Sequence, residues 1–172
     1  MSSVYELLVR EYLEFVHDYF VRQDVKFRKS RGYGDIDIVA VQLESGKVVD
    51  ALVGEVKSWS LNRKVIDEIE ERFNDEGFQE RLKELGLVNP RKFIFCWATT
   101  SEIKEYASQK GVTVIDFSDI VDELREKVKE LRKEGRWFHD VHYPITTLIQ
   151  LIFHSYLREV KGEKGQEQVR GA

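Results

Sequence analysis

Two apolar runs, residues 36–43 and 51–56, flank the turn cluster Glu44-Ser45-Gly46-Lys47. Runs rich in Val, Ile and Leu around such a cluster predict two antiparallel strands. A turn centred near Gly46 pairs residues whose numbers sum to about 92, which sets Asp37 opposite Glu55 and Asp35 near Lys57. Side chains alternate along a strand, so Glu55 and Lys57 share a face. An otherwise apolar hairpin therefore gathers carboxylates and an ammonium group at one end.

Charged groups among residues this apolar are costly to bury unless they pair or hold a metal. Oxygen ligands at this density suit a hard cation, Mg²⁺ first and Mn²⁺ as its substitute. A lysine two residues from a metal-binding carboxylate is placed to orient an attacking water or to stabilise charge developing on a phosphate. Metal-assisted phosphodiester hydrolysis is the chemistry that fits.

The motif Asp37, an intervening stretch, then Glu55-Val56-Lys57 resembles the D…ExK signature of the PD-(D/E)xK nuclease superfamily. That superfamily includes restriction endonucleases and archaeal Holliday-junction resolvases. The wider wording, Gly34-Asp35-Ile36-Asp37-Ile38-Val39-Ala40 with Gly54-Glu55-Val56-Lys57-Ser58, is similar to an uncharacterised prokaryotic branch with a GEID…EVK pattern. The resemblance covers roughly residues 4–120 and implies a restriction-endonuclease-like fold, an α/β mixed sheet flanked by helices. It implies that Asp37 and Glu55 bind Mg²⁺ and that Lys57 is the catalytic lysine. Ile36 replaces the proline of the family name and Asp35 replaces a common Glu, so Asp35 is kept as an auxiliary acid and as the alternative primary ligand to Asp37.

The chain has 172 residues, 42% hydrophobic and 34% charged, which fits one globular domain with a small appendage. No apolar run approaches a membrane span and no signal sequence opens the chain, so a cytoplasmic protein is expected. The lone Cys96, inside Phe93-Ile94-Phe95-Cys96-Trp97, reads as a buried, inert thiol. A net charge of −4 argues against a protein that coats nucleic acid along its whole surface. Local charge differs: Arg22, Lys26, Arg28, Lys29 and Arg31 stand against Asp24, whereas residues 67–84 carry eight acids against three bases. A basic rim of Lys26, Arg28, Lys29 and Arg31 beside the carboxylates suits a local phosphate-backbone contact; the plainer reading is a solvated edge strand.

In chain order, the capping-box pattern Ser3-Val4-Tyr5-Glu6 with apolar residues at helical spacing predicts a helix over about 3–20. Glu6 either closes the box or, by the resemblance, reaches toward the metal; Glu11, Glu14 and Asp18 are expected to be solvated. A short strand follows at 25–28. Gly32 and Gly34 would let the backbone approach a ligand, and Tyr33 between them either stacks on a base or packs over the turn. Asn62 or Ser60 caps a helix to about Phe73, from which the resemblance makes Arg63 the candidate substrate contact. Trp59 reads as core or loop packing rather than as a base-stacking residue. A second acidic helix over 75–85, a buried strand over 92–98, a helix over 101–110 and a strand over 112–117 make a strand-helix-strand crossover with parallel pairing.

A long amphipathic helix runs from about 118 toward Gly135, closing a nuclease-like domain over 1–135. Residues 136–160 form a C-terminal helical extension whose broad apolar surface packs on the domain or makes a homodimer. His139 and His142 have a spacing seen in some metal sites but, with no third ligand, are read as ordinary packing or loop histidines, and 161–172 as a disordered tail. The expectation is a Mg²⁺-dependent endonuclease, a phosphodiester hydrolase acting on DNA, with RNA left open as substrate. The rival is a catalytically silent nucleic-acid-binding or assembly module on the same fold.

Overall fold

The computed structural model describes residues 3–29, 32–135 and 142–152. The chain order is α1 (Val4–Phe15), β1 (Phe20–Arg28), β2 (Tyr33–Glu44), β3 (Lys47–Lys57), α2 (Arg63–Phe73), α3 (Glu76–Glu84), β4 (Arg91–Cys96), α4 (Ser101–Gln109), β5 (Val112–Asp116) and α5 (Phe117–Lys133). A further helix, α6, covers residues 144–152. The chain divides inside α5, at Val121/Asp122, into two compact units.

The first unit is built on one five-stranded sheet in the order β1-β2-β3-β4-β5. Strands β1, β2 and β3 pair antiparallel, while β3, β4 and β5 pair parallel. The mixed α/β sheet with flanking helices and a C-terminal helix is therefore the architecture expected. The β2–β3 hairpin closes through Ser45 and Gly46, at φ 51° and 77°. Positive φ at both central residues is the turn whose twist matches that of the strands it joins. The register Ile38↔Gly54 to Gln42↔Asp50 is the predicted one, with a bulge between Gln42 and Leu43 shifting it near the turn.

One core cluster joins Val39, Val53, Ile94, Val112 and Val114 of the sheet to Ile66, Ile69 and Phe73 of α2 and Phe78 and Leu82 of α3. Residues alternate faces along a strand. Ile38, Ala40, Leu52 and Phe95, interleaved with that cluster, are also buried, so both faces of the central strands are covered. Helix α1 packs on β1, β2 and β3 and buries Leu8, Val9, Tyr12 and Leu13. Burying ten such side chains at about 2 kcal/mol each supplies a large part of the drive to fold.

The first helix is shorter than its apolar periodicity suggests. Asp18 sits at φ 57°, and the helix ends at Phe15 with Val16 as its cap. Phe20 and Val21, aromatic and β-branched, instead begin β1, with Tyr19 just before it. Tyr19 is buried, and its hydroxyl donates to Asp50 while accepting from Arg91 Nη2 at 2.5 Å. Glu11, expected in solvent, is fully buried on α1.

In the second unit, Leu124 and Val128 of α5 and Thr146 and Gln150 of α6 are buried, whereas Leu148, Leu151 and Ile152 are exposed. Residues 136–141, with His139, and 153–172, with the expected tail, lie outside the described residues. No described helix is long and apolar enough to cross a membrane.

Candidate active site

The hairpin register delivers Asp37 beside Glu55. The β2–β3 ladder runs to Ile38↔Gly54, and at the next step Asp37 Oδ2 accepts the Val56 backbone N–H at 2.8 Å. Lys57 Nζ donates to Glu55 Oε2 at 2.8 Å and lies 3.8 Å from Asp37 Oδ2. The predicted convergence of Asp37, Glu55 and Lys57 is thus present, at the end of β3 where it lies parallel to β4.

A fourth charged group, unforeseen in the sequence reading, completes the cluster. Arg72, in the last turn of α2, donates Nη1 to Glu55 Oε2 at 2.8 Å and Nη2 to the Asp35 backbone carbonyl at 2.5 Å. Asn62 caps α2 by accepting the Val65 N–H, and Ile66, Ile69 and Phe73 anchor its buried face. Arg72 follows from that anchoring, because it adjoins Phe73 and its charge suits a helix C-terminus. The signal available in sequence was the basic residue flanking the apolar stripe of α2, one position before its last buried member.

Glu55 is fully buried, and its Oε1 has no hydrogen-bond partner, nor has the buried Arg72 Nε. Burial first, then the nearby Asp37 carboxylate, pushes the Glu55 pKa upward; Lys57 and Arg72 pull against this without cancelling it. Two cations on one oxygen leave the other facing an unmet need. Asp37 meets the Val56 N–H and approaches Lys57 Nζ through Oδ2. A hard divalent cation fits this donor set, since Mg²⁺ is commonly held by one or two carboxylates and keeps several waters. Among the described residues no group of three or more His, Cys, Asp or Glu is placed to hold a metal, and Asp37 and Glu55 are the two carboxylates that could serve one.

The remaining candidates fall elsewhere. Asp35 is not near Lys57 through any contact; its carboxylate pairs with Lys26 Nζ at 2.6 Å, its partner across the β1–β2 register. Of the two aspartates, Asp37 is the one against Glu55. Glu6 closes the capping box, with Oε2 accepting the Ser3 N–H at 3.2 Å and Oε1 the Ser3 hydroxyl at 3.0 Å. Arg63 is held by Glu102 at 2.5 Å and lies over the Tyr106 ring, so the α2 cation at the carboxylates is Arg72. Arg28 and Tyr33 are exposed and paired across β1–β2. Lys29 sits over the Phe27 ring, and Arg31 lies outside the described residues. Gly34 does not open the backbone to a ligand: a Cβ there would come within 2.6 Å of Phe27 Cζ. Trp59, expected to pack, is exposed.

Cys96 is buried beside the site, with its thiol 3.5 Å from Asp116 Oδ1. Burial, with the Asp116 charge, pushes the thiol up to about 12, so it stays protonated and unreactive.

No family model matches the chain, and no curated protein matches it. A crystal structure of a protein of unknown function, AF1548, is similar: TM-score 0.51 and 21% identity, covering 76% of each chain. At that identity the likeness speaks for the fold alone.

Proposed function

We propose that the chain is a metal-dependent nuclease of the PD-(D/E)xK type, hydrolysing DNA phosphodiester bonds in the cytoplasm. The observation that carries this reading is the buried, half-satisfied Glu55 carboxylate beside Asp37, with Lys57 on the same strand. Asp37 and Glu55 would hold Mg²⁺, or Mn²⁺ in its place. Bound there, the ion would acidify a coordinated water and offset phosphate charge.

The chain's own groups do the rest. Lys57 Nζ, within reach of both carboxylates, orients the attacking water or stabilises charge on the phosphate oxygens. Arg72 holds Glu55 Oε2 and ties it to the Asp35 carbonyl, fixing the carboxylate against the strand end. Asp37 is anchored through Oδ2 by the Val56 N–H, and its other oxygen would serve the ion. Lys26, Arg28 and Lys29 lie at the same end of the sheet and would steer the phosphate backbone. Exposed Leu148, Leu151 and Ile152 on α6 support pairing of two copies through this helix.

The test is a panel of labelled duplex, branched, flapped and single-stranded DNA incubated with Mg²⁺, Mn²⁺ or EDTA. Cutting that needs the metal supports the reading. One observation favours the silent-module alternative: Lys57 and Arg72 already neutralise one Glu55 oxygen, a self-contained arrangement. That alternative predicts DNA binding with no cutting, unchanged by EDTA and by Lys57→Ala.

A further inference from the structure

Two exposed tryptophans stand just past the adjacent ends of β3 and β4. β3 and β4 run parallel and end side by side, with Lys57 opposite Cys96. Trp59 follows Lys57 by two residues, and Trp97 follows Cys96 directly. A chain advances at most about 3.5 Å per residue, so the Trp59 Cα lies within about 7 Å of that of Lys57. Strands lie about 4.8 Å apart, which brings the Trp97 Cα within about 9 Å of it. Trp59 is 55% exposed and Trp97 57%, where tryptophan is ordinarily among the more buried side chains.

Neither is a loose end. The Trp97 ring meets the Tyr5 ring edge-on at 6.1 Å, and Tyr5 stacks on Phe117 at 5.1 Å, so one edge is buttressed while more than half the residue stays open. Trp59 lies between exposed Ser58 and Ser60, and buried Leu61 pins the loop to the core.

We propose that Trp59 and Trp97 form a stacking platform for unpaired bases, making a single DNA strand, rather than duplex, the substrate of the site; this rests on the nuclease reading above. Bases in a duplex are stacked on their own neighbours and offer only edges, whereas an unpaired strand offers faces. Lys57, two residues before Trp59 and opposite Cys96, is the cation that chain distance places nearest the platform.

The experiment is fluorescence anisotropy in EDTA, with end-labelled oligo-dT of roughly twelve nucleotides and a duplex of the same length. Wild type, Trp59→Ala, Trp97→Ala, Trp59→Phe and Trp97→Phe are compared, each checked by thermal melting. The single strand should bind at least about tenfold more tightly than duplex, each Ala variant should lose roughly tenfold on the single strand alone, and Phe should recover most of it. Equal affinity for both forms, no binding of either, or folded Ala variants that bind like wild type would overturn the platform. Because binding is read without metal, absence of metal-dependent cutting would instead count against the nuclease reading.

Discussion

The Arg72 guanidinium grips Glu55 Oε2 at 2.8 Å while its second arm takes the Asp35 carbonyl at 2.5 Å. One side chain thus fixes a buried carboxylate to the end of α2 and to the backbone of β2. Removing one partner of a buried pair leaves a charge uncompensated, at a cost of several kcal/mol when the burial is complete. Arg72 is 26% exposed and Lys57 retains its contact, which lowers the expected cost. Arg72→Ala should destabilise the fold by about 2 kcal/mol in urea unfolding. Arg72→Lys should recover little of it, since one ammonium cannot span both acceptors. Equal stability of Arg72→Ala and wild type would contradict the assigned role.

The raised pKa of Glu55 has a definite sign in linkage. In the metal-free native chain Glu55 keeps its proton at pH values where the unfolded chain has released it. Its contribution to stability is therefore full below the ordinary glutamate range and is lost as pH rises through the raised native value. A bound divalent cation should reverse this, because metal and proton compete for the same carboxylate. Urea unfolding across pH in EDTA should show this falling component, Mg²⁺ should abolish it, and Glu55→Gln should lack it. A component unchanged in Glu55→Gln would assign it to another group.

Asp50 behaves in the opposite sense. Burial works against its charge, yet hydrogen bonds from Tyr19 and Arg91 hold its pKa below the usual value. Its contribution is present above the ordinary aspartate pKa and is lost as pH falls through the lowered one. Tyr19→Phe should cost about 1 kcal/mol near neutrality and shift acid unfolding to higher pH. Acid unfolding midpoints of wild type and Tyr19→Phe are the check.

Gly77 sets how closely α3 approaches β1. A Cβ there would fall 1.7 Å from the Arg28 carbonyl oxygen, a backbone atom that cannot swing aside. Gly77→Ala should therefore cost about 1–3 kcal/mol or more in chemical denaturation, although alanine is the better helix former. A stabilised variant would contradict this packing.

What the sequence made legible was local. The turn residues Ser45 and Gly46 fixed the strand pairing, and the pairing carried Asp37 to Glu55. Arg72 was hidden because its approach depends on how α2 packs across the sheet, which apolar periodicity marks only as a buried stripe. Glu6 followed its local motif, and Asp35 followed its cross-strand neighbour Lys26 rather than the more distant Lys57. The helical periodicity continuing through Tyr19 and Phe20 misled because the helix stops at Phe15 and the chain, with Asp18 at positive φ, turns into β1. Exposure of Trp59 was beyond pattern reading, since nothing local separates a packed indole from an open one.

The most direct measurement is the rate of cleavage, in Mg²⁺ or Mn²⁺, of labelled single-stranded and duplex DNA by wild type, Glu55→Ala and Lys57→Ala, with folding of each verified by thermal melting. The account predicts cutting in Mg²⁺ that disappears in EDTA and falls at least about a hundredfold in both variants. Wild type that cuts nothing with either metal, or folded variants that cut as fast as wild type, would contradict it.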